Sequence, residues 1–251
     1  MRASAIEFRL RVAIIFVVIW IGFWAPWIEP WGSWPGLGRR ISLLEWLALE
    51  LSRLGVVPFS AATPLVIVIA CLTAAVAVVL RVWGTAYLGT RTVHNAEMKA
   101  GTTMADGPYR YVRNPLYLGT WFMVAAMAFI MPASGAVFVM VLLTVFLLRL
   151  ILGEEAFLTG QLGQPYQDYL RAVPRLIPRL RSNLSHSGVR PHWGQAALAE
   201  FNPIGVFVTL AVFSWSYDNW LVTKALLIAF GVSMLVRSAI PRTPQQVSQP
   251  Q

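Results

Sequence analysis

The sequence predicts an all-α, polytopic integral membrane helical bundle of about six transmembrane helices, including one tight helical hairpin. Three observations lead there. Of 251 residues, 57% are hydrophobic and only 12% charged, whereas a soluble domain carries about 25% charged residues. Apolar stretches recur along the chain with polar or Pro/Gly breaks between them. The basic residues collect in alternate breaks, as expected when cytoplasmic loops retain Lys and Arg.

The apolar stretches run Val12 to Ile28, Pro64 to Leu80, Tyr117 to Met131, Ala133 to Leu148, Pro203 to Tyr217 and Asn219 to Val236. Several fall short of the roughly 20 residues that cross a hydrocarbon core, so flanking Trp, Tyr and Arg are expected to extend them. Arg2, Arg9 and Arg11 before the first stretch resemble a signal peptide, but Trp24-Ala25-Pro26-Trp27 offers no small-residue cleavage site, so it is read as a retained span. Between the first two stretches, Ile41 to Leu54 mixes Leu and Trp with Glu45, Glu50 and Arg53, which suits an interfacial helix or one packed on the spans. Met131-Pro132-Ala133-Ser134-Gly135 leaves room only for a tight turn between the third and fourth. With six spans, every Lys and Arg except Arg39, Arg40, Arg53 and Lys224 falls on one side. That places both termini in the cytoplasm, and the cytoplasmic membrane of a prokaryote is the expected location. The tail Pro241 to Gln251, rich in Pro and Gln, is expected to be disordered.

The organisation expected is therefore a first span with an interfacial segment over 1–63, a core with the hairpin over 64–182, a linker with two helices over 183–240 and a tail over 241–251. The net charge of +9 is spread between apolar stretches, which excludes a nucleic-acid module and makes the bilayer the partner. No obligate protein partner is implied. Cys71, the single cysteine, forms no intrachain disulfide. Neither a Cys/His cluster for a metal nor a Gly-x-Gly-x-x-Gly fingerprint is present.

Two polar clusters flank the hairpin on the side assigned to the cytoplasm. The first spans Asp106 to Gly119. Pro115 suits a first helical position, so Arg113 would stand beside a helix N-terminus, where an anion such as a carboxylate is favoured. The second runs from Gly153 to Leu158, continues through Gly163 to Tyr169 and closes with Val173 to Pro178, so that Arg149, Glu154 and Glu155 follow the apolar helix closely. Ionised groups this near hydrocarbon point to function, and adjacent glutamates on a helix diverge by about 100°, so one can face a ligand while the other meets an arginine. Residue chemistry leaves two readings open: interfacial anchors with a solvated helix end, or a ligand site. His94, Asp218, Lys224 and Pro191-His192-Trp193 read more simply as loop, edge or anchor residues.

The ordered set Gly-Pro-Tyr-Arg-x-x-Arg-Asn-Pro-x-Tyr-x-Gly (107–119), Glu-Glu-x-x-Leu (154–158), Gly-x-x-Tyr-x-x-Tyr (163–169) and Val-Pro-Arg-x-Ile-Pro (173–178) resembles the isoprenylcysteine carboxyl methyltransferase family and the related phospholipid methyltransferases over about residues 81 to 180. The resemblance implies an S-adenosylmethionine site at the cytosolic face and a lipophilic or membrane-associated acceptor arriving from the bilayer. By position it implies Gly107, Tyr109, Arg113, Pro115, Tyr117, Gly119, Glu154, Glu155, Tyr166 and Tyr169 as cofactor-binding residues, and Arg113, Asn114 and Arg175 as catalytic ones; Pro174 matches the same closing segment. Many members carry histidine where this chain has Asn114, and asparagine supplies hydrogen bonds but neither an imidazole base nor a cation. Arg113 or Arg175 would hold the methionine carboxylate, and Glu154 or Glu155 the ribose or ammonium. An isoprenylcysteine-like carboxyl acceptor is the leading expectation, a phospholipid amine or small thiol the alternative. An NADPH-dependent sterol-reductase-like enzyme and a non-enzymatic scaffold are the rivals of other classes.

Overall fold

A computed structural model describes residues 3–24, 41–88, 106–182, 184 and 188–239. Among these residues the chain is all-α, apart from one isolated bridge between Ser42 and Pro132. The helices are α1 Ala5–Arg9, α2 Arg11–Trp24, α3 Leu43–Arg53, α4 Phe59–Leu88, α5 Pro115–Ala128, α6 Ala133–Leu162, α7 Gln164–Ala172, α8 Trp193–Ala199, α9 Phe201–Phe213 and α10 Asn219–Ala239. A 3-10 turn, Gly107–Arg110, precedes α5, and a second, Ser214–Ser216, follows α9.

The chain is an integral membrane protein, but the six spans expected are not all matched by full-length helices. Two helices, α4 and α6, are long and apolar enough to cross; a third crossing results if α8 and the α9 segment, bent by 71° at their junction, count as one. The helices α2 and α5 and the apolar stretch of α10 are shorter. Each long helix has 30 residues and so measures about 45 Å, roughly half again the hydrocarbon thickness. The fourth expected span is matched by α6, whose helix runs on past the end of the apolar stretch at Leu148 through Glu154 and Glu155. Residues 25–40 and 89–105, including His94, and the tail lie outside the described residues.

The hairpin forms where expected. Pro115 opens α5, and Pro132 precedes α6 with φ −53°. Its turn is held from outside, since Leu43 and Leu44 donate backbone bonds to Met131 and Phe129 at 2.8 Å each. Helix α3 is fixed at its start by a reciprocal cap between Ser42 and Glu45, a motif that satisfies two end donors at once. Its apolar face, Leu44 and Ala48, is buried against Ala62, Val66 and Ile67 of α4. The main core joins α2, α4, α5, α6, α9 and α10 through residues such as Met131, Val139, Leu143, Leu150 and Leu210. Asp218 caps α10, accepting from the Trp220 and Leu221 amides, and Lys224 lies over the Trp220 ring, so both have structural roles.

The N-terminal turn is tied to α6 by Glu7, whose carboxylate accepts from the Arg149 guanidinium at 2.9 and 3.0 Å. That contact, helped by Ser4, lowers the Glu7 pKa from 4.5 to about 2. A depressed carboxylate stabilises the fold above its unfolded pKa and loses that contribution as pH falls through the folded one. Thermal unfolding followed from pH 4.5 down to about 2 should therefore drop less in Glu7→Gln than in the wild type.

Candidate functional site

The polar residues of both clusters meet at one end of the hairpin, where α5 begins and α6 runs past it. Glu155, buried on α6, collects three partners from distant segments. The Arg175 Nη2 donates to it at 2.7 Å, the Asn114 Nδ2 at 3.3 Å, and the Arg113 Nε approaches to 3.6 Å. Hydrogen bonding to Glu155 also raises the Arg175 pKa, so this guanidinium stays charged. The Asn114 amide reaches the Arg175 carbonyl as well, at 3.2 Å. Asparagine thus fills a cross-linking place that needs an N–H donor and no charge change.

Glu154, the next residue, points elsewhere, as the helical twist requires. The Tyr117 hydroxyl donates to its Oε2 at 2.7 Å, and Glu154 lines a cavity of about 340 Å³, within the range of small-molecule sites. Tyr109, Arg113, Asn114, Pro115, Tyr117, Tyr166 and Tyr169 line the same cavity. The Tyr109 hydroxyl is buried with no hydrogen-bond partner among the described residues, a group whose burial is costly until something accepts from it or donates to it. Burial, reinforced by Glu154, pushes its pKa well up, so it remains a neutral phenol. Burial also raises Tyr166 and Tyr169; Tyr169 donates to the Tyr109 carbonyl at 2.9 Å, bracing the 3-10 turn.

Four of the expected site residues, Glu155, Arg175, Gly107 and Gly119, stand outside the cavity wall. Arg175 acts on Glu155 from the rim. Gly107, at φ +56°, lets the chain turn against the ring of Tyr87, which any Cβ would strike. Gly119 lets α5 approach α4: a Cβ there would lie 2.5 Å from the Arg81 Cγ. Both glycines position the wall through packing.

Residues outside the motifs also contribute. Arg81 lines the cavity and is gripped by Glu200, with Nε–Oε2 at 2.6 Å and Nη2–Oε1 at 2.9 Å. Its Nη1 donates to the Thr120 hydroxyl at 2.7 Å, and Thr85 donates to Glu200 at 2.6 Å. Glu200 is completely buried at the α8–α9 bend. The available signal was an arginine directly after the apolar run ending at Leu80. Replacing Glu200 by Gln keeps the shape but removes the charge facing Arg81, so a loss of about 1.5–3 kcal/mol is expected, readable as a lower Tm of the purified protein. The other end of the cavity is apolar, formed by Phe16, Trp20 and Phe23 of α2, Met127 of α5, and Leu226 and Phe230 of α10. Phe16 stacks on Phe230 with ring centroids 5.0 Å apart, and Trp24 meets Trp220 edge to face at 6.0 Å.

Fold and site together define a helical integral membrane protein with a cavity that is ionic at its rim and apolar within the bundle. Residues 65–164 match the family described as phospholipid methyltransferase. Among curated proteins, a methanethiol S-methyltransferase of Crocosphaera subtropica is 46% identical over 70 residues, 28% of this chain and 27% of the relative. Methanethiol S-methyltransferase 2 of Bradyrhizobium diazoefficiens is 39% identical over 72 residues, 29% of this chain and 27% of the relative. The match spans about a quarter of the length of these relatives. No solved structure matches the chain.

Proposed function

We propose that the protein is an S-adenosylmethionine-dependent membrane methyltransferase, and that its acceptor is a small apolar thiol in preference to a prenylcysteine carboxylate. The observation that carries the reading is the cavity itself. It joins a polar rim suited to an amino acid and ribose to an apolar interior suited to an uncharged acceptor. The resemblance to two methanethiol S-methyltransferases favours the thiol; the phospholipid methyltransferase match keeps a lipid amine as the second reading.

The residues present suit the donor. Arg113 supplies a cation beside the start of α5 for a carboxylate. Glu154, bonded to Tyr117 through one carboxylate oxygen, faces the cavity where it can meet the ammonium or ribose hydroxyls, while the Tyr109 hydroxyl is a buried polar group with no partner among the described residues. Glu155 holds Arg113, Asn114 and Arg175 in place and is a positioning residue. When bound, S-adenosylmethionine would supply a sulfonium-activated methyl group for transfer to a thiolate, giving a methyl thioether with S-adenosylhomocysteine as the leaving group. The walls exclude water and align the two reactants, which can account for much of the rate. The proposal includes six spans, with both termini and the cavity mouth on the cytoplasmic side and the core over residues 64–182.

Purified protein given labelled donor with separate thiol, phospholipid and prenylcysteine panels should label the thiol. Its turnover should rise with pH toward the pKa of the thiol, because the thiolate is the nucleophile. Transfer only to the carboxylate, flat in pH over the same interval, would refute the thiol assignment. Displacement of the donor by NADPH would refute the methyltransferase reading.

A further inference from the structure

We infer that the closing segment, residues 173–181, is a docking surface for the anionic leaflet of the protein's own bilayer. Ile177 is 83% exposed and Leu180 98% exposed, although the segment is firmly held. The Arg113 amide donates to the Pro174 carbonyl at 2.9 Å, and the Arg179 amide to the Tyr111 carbonyl at 3.0 Å. The Arg179 side chain donates to the Ala172 carbonyl at 2.8 Å. Two large aliphatic side chains are thus presented outward on a rigid loop, and insertion requires little further ordering.

The height of the loop decides what it meets. Glu155 lies 22 residues along α6 from Ala133, hence about 33 Å, close to the hydrocarbon thickness. Arg175 is bonded to Glu155, so the segment stands where acyl chains give way to headgroups. Exposed Arg179 and Arg181 flank Leu180. Arg171, also exposed, is paired with Asp168 at 3.4 Å, which is the exposed acidic side chain near the loop. Aliphatic residues among arginines match an apolar boundary beneath negative headgroups. Because the segment also supplies Arg175, leaflet charge would bear on the residue that steadies the cavity rim.

The test does not depend on methyl transfer. A nitroxide is placed at Leu180→Cys in a Cys71→Ala background of the full chain, with Gln161→Cys as an exposed control. The protein is reconstituted in phosphatidylcholine alone or mixed with phosphatidylglycerol. Accessibility to oxygen, which partitions into lipid, is compared with accessibility to a neutral water-soluble nickel chelate. The oxygen-to-nickel ratio at position 180 should exceed that at 161 and rise about fivefold in the anionic bilayer, the factor expected for one basic side chain at such a surface. Arg179→Gln with Arg181→Gln should remove the rise. A ratio equal to the control, a rise that survives removal of both arginines, or shielding from both reagents, as a covering protein would produce, overturns the inference.

Discussion

Glu155→Ala is expected to abolish measurable donor binding and to cost about 3–5 kcal/mol of stability, the usual result of removing one member of a buried ion pair. Arg113, Asn114 and Arg175 all converge on this carboxylate. Without it two guanidiniums repel each other at the cavity rim, and the tie between α5, α6 and the closing segment is lost. Labelled-donor binding and thermal unfolding in the same detergent measure both effects. A variant that unfolds as the wild type and still binds donor would show that the cluster is merely a solvated helix end. Glu155→Asp, which keeps the charge but shortens the reach, should recover part of the stability before any binding.

Glu154→Gln should behave differently. Glu154 has Tyr117 as its protein partner and otherwise faces the cavity, so little stability depends on its charge. A charge-assisted hydrogen bond to the donor is worth about 1.5–3 kcal/mol, which predicts a Kd for S-adenosylmethionine weaker by roughly 10- to 150-fold. Calorimetric titration of the folded variant reads this directly. Unchanged affinity with slowed turnover would move Glu154 from donor binding to the acceptor side of the cavity. The contrast between neighbouring glutamates, one fastening the rim and one facing the ligand space, is the sharpest mutational signature the site offers.

The hairpin was legible in the sequence because its signals are local. Pro115 marks a helix start, Pro132 and the residues around it mark a turn, and the intervening residues carry no charge and are mostly apolar. The pairing of one glutamate with arginine followed from helical geometry, but which of the two it would be did not. That choice depends on where residues 173–178 return, a contact spanning 20 residues or more. Arg175 illustrates the same limit: its motif pointed to the site, yet its place at the rim behind Glu155 is a tertiary fact. The Arg81–Glu200 pair was missed because its members are 119 residues apart, and nothing in local pattern links a helix end to a distant bend. At α6 the span was legible but the helix end was not: the apolar stretch stops at Leu148, whereas the helix runs on to Leu162.

Since Asn114, Glu155 and Arg175 arrive from three separate stretches, the order in which the chain emerges during synthesis matters. A nascent polypeptide that has not yet reached Arg175 already contains the whole hairpin but has one acidic anchor poorly matched. The mouth of the cavity is therefore a late product of biogenesis, and a truncated chain would insert without acquiring it.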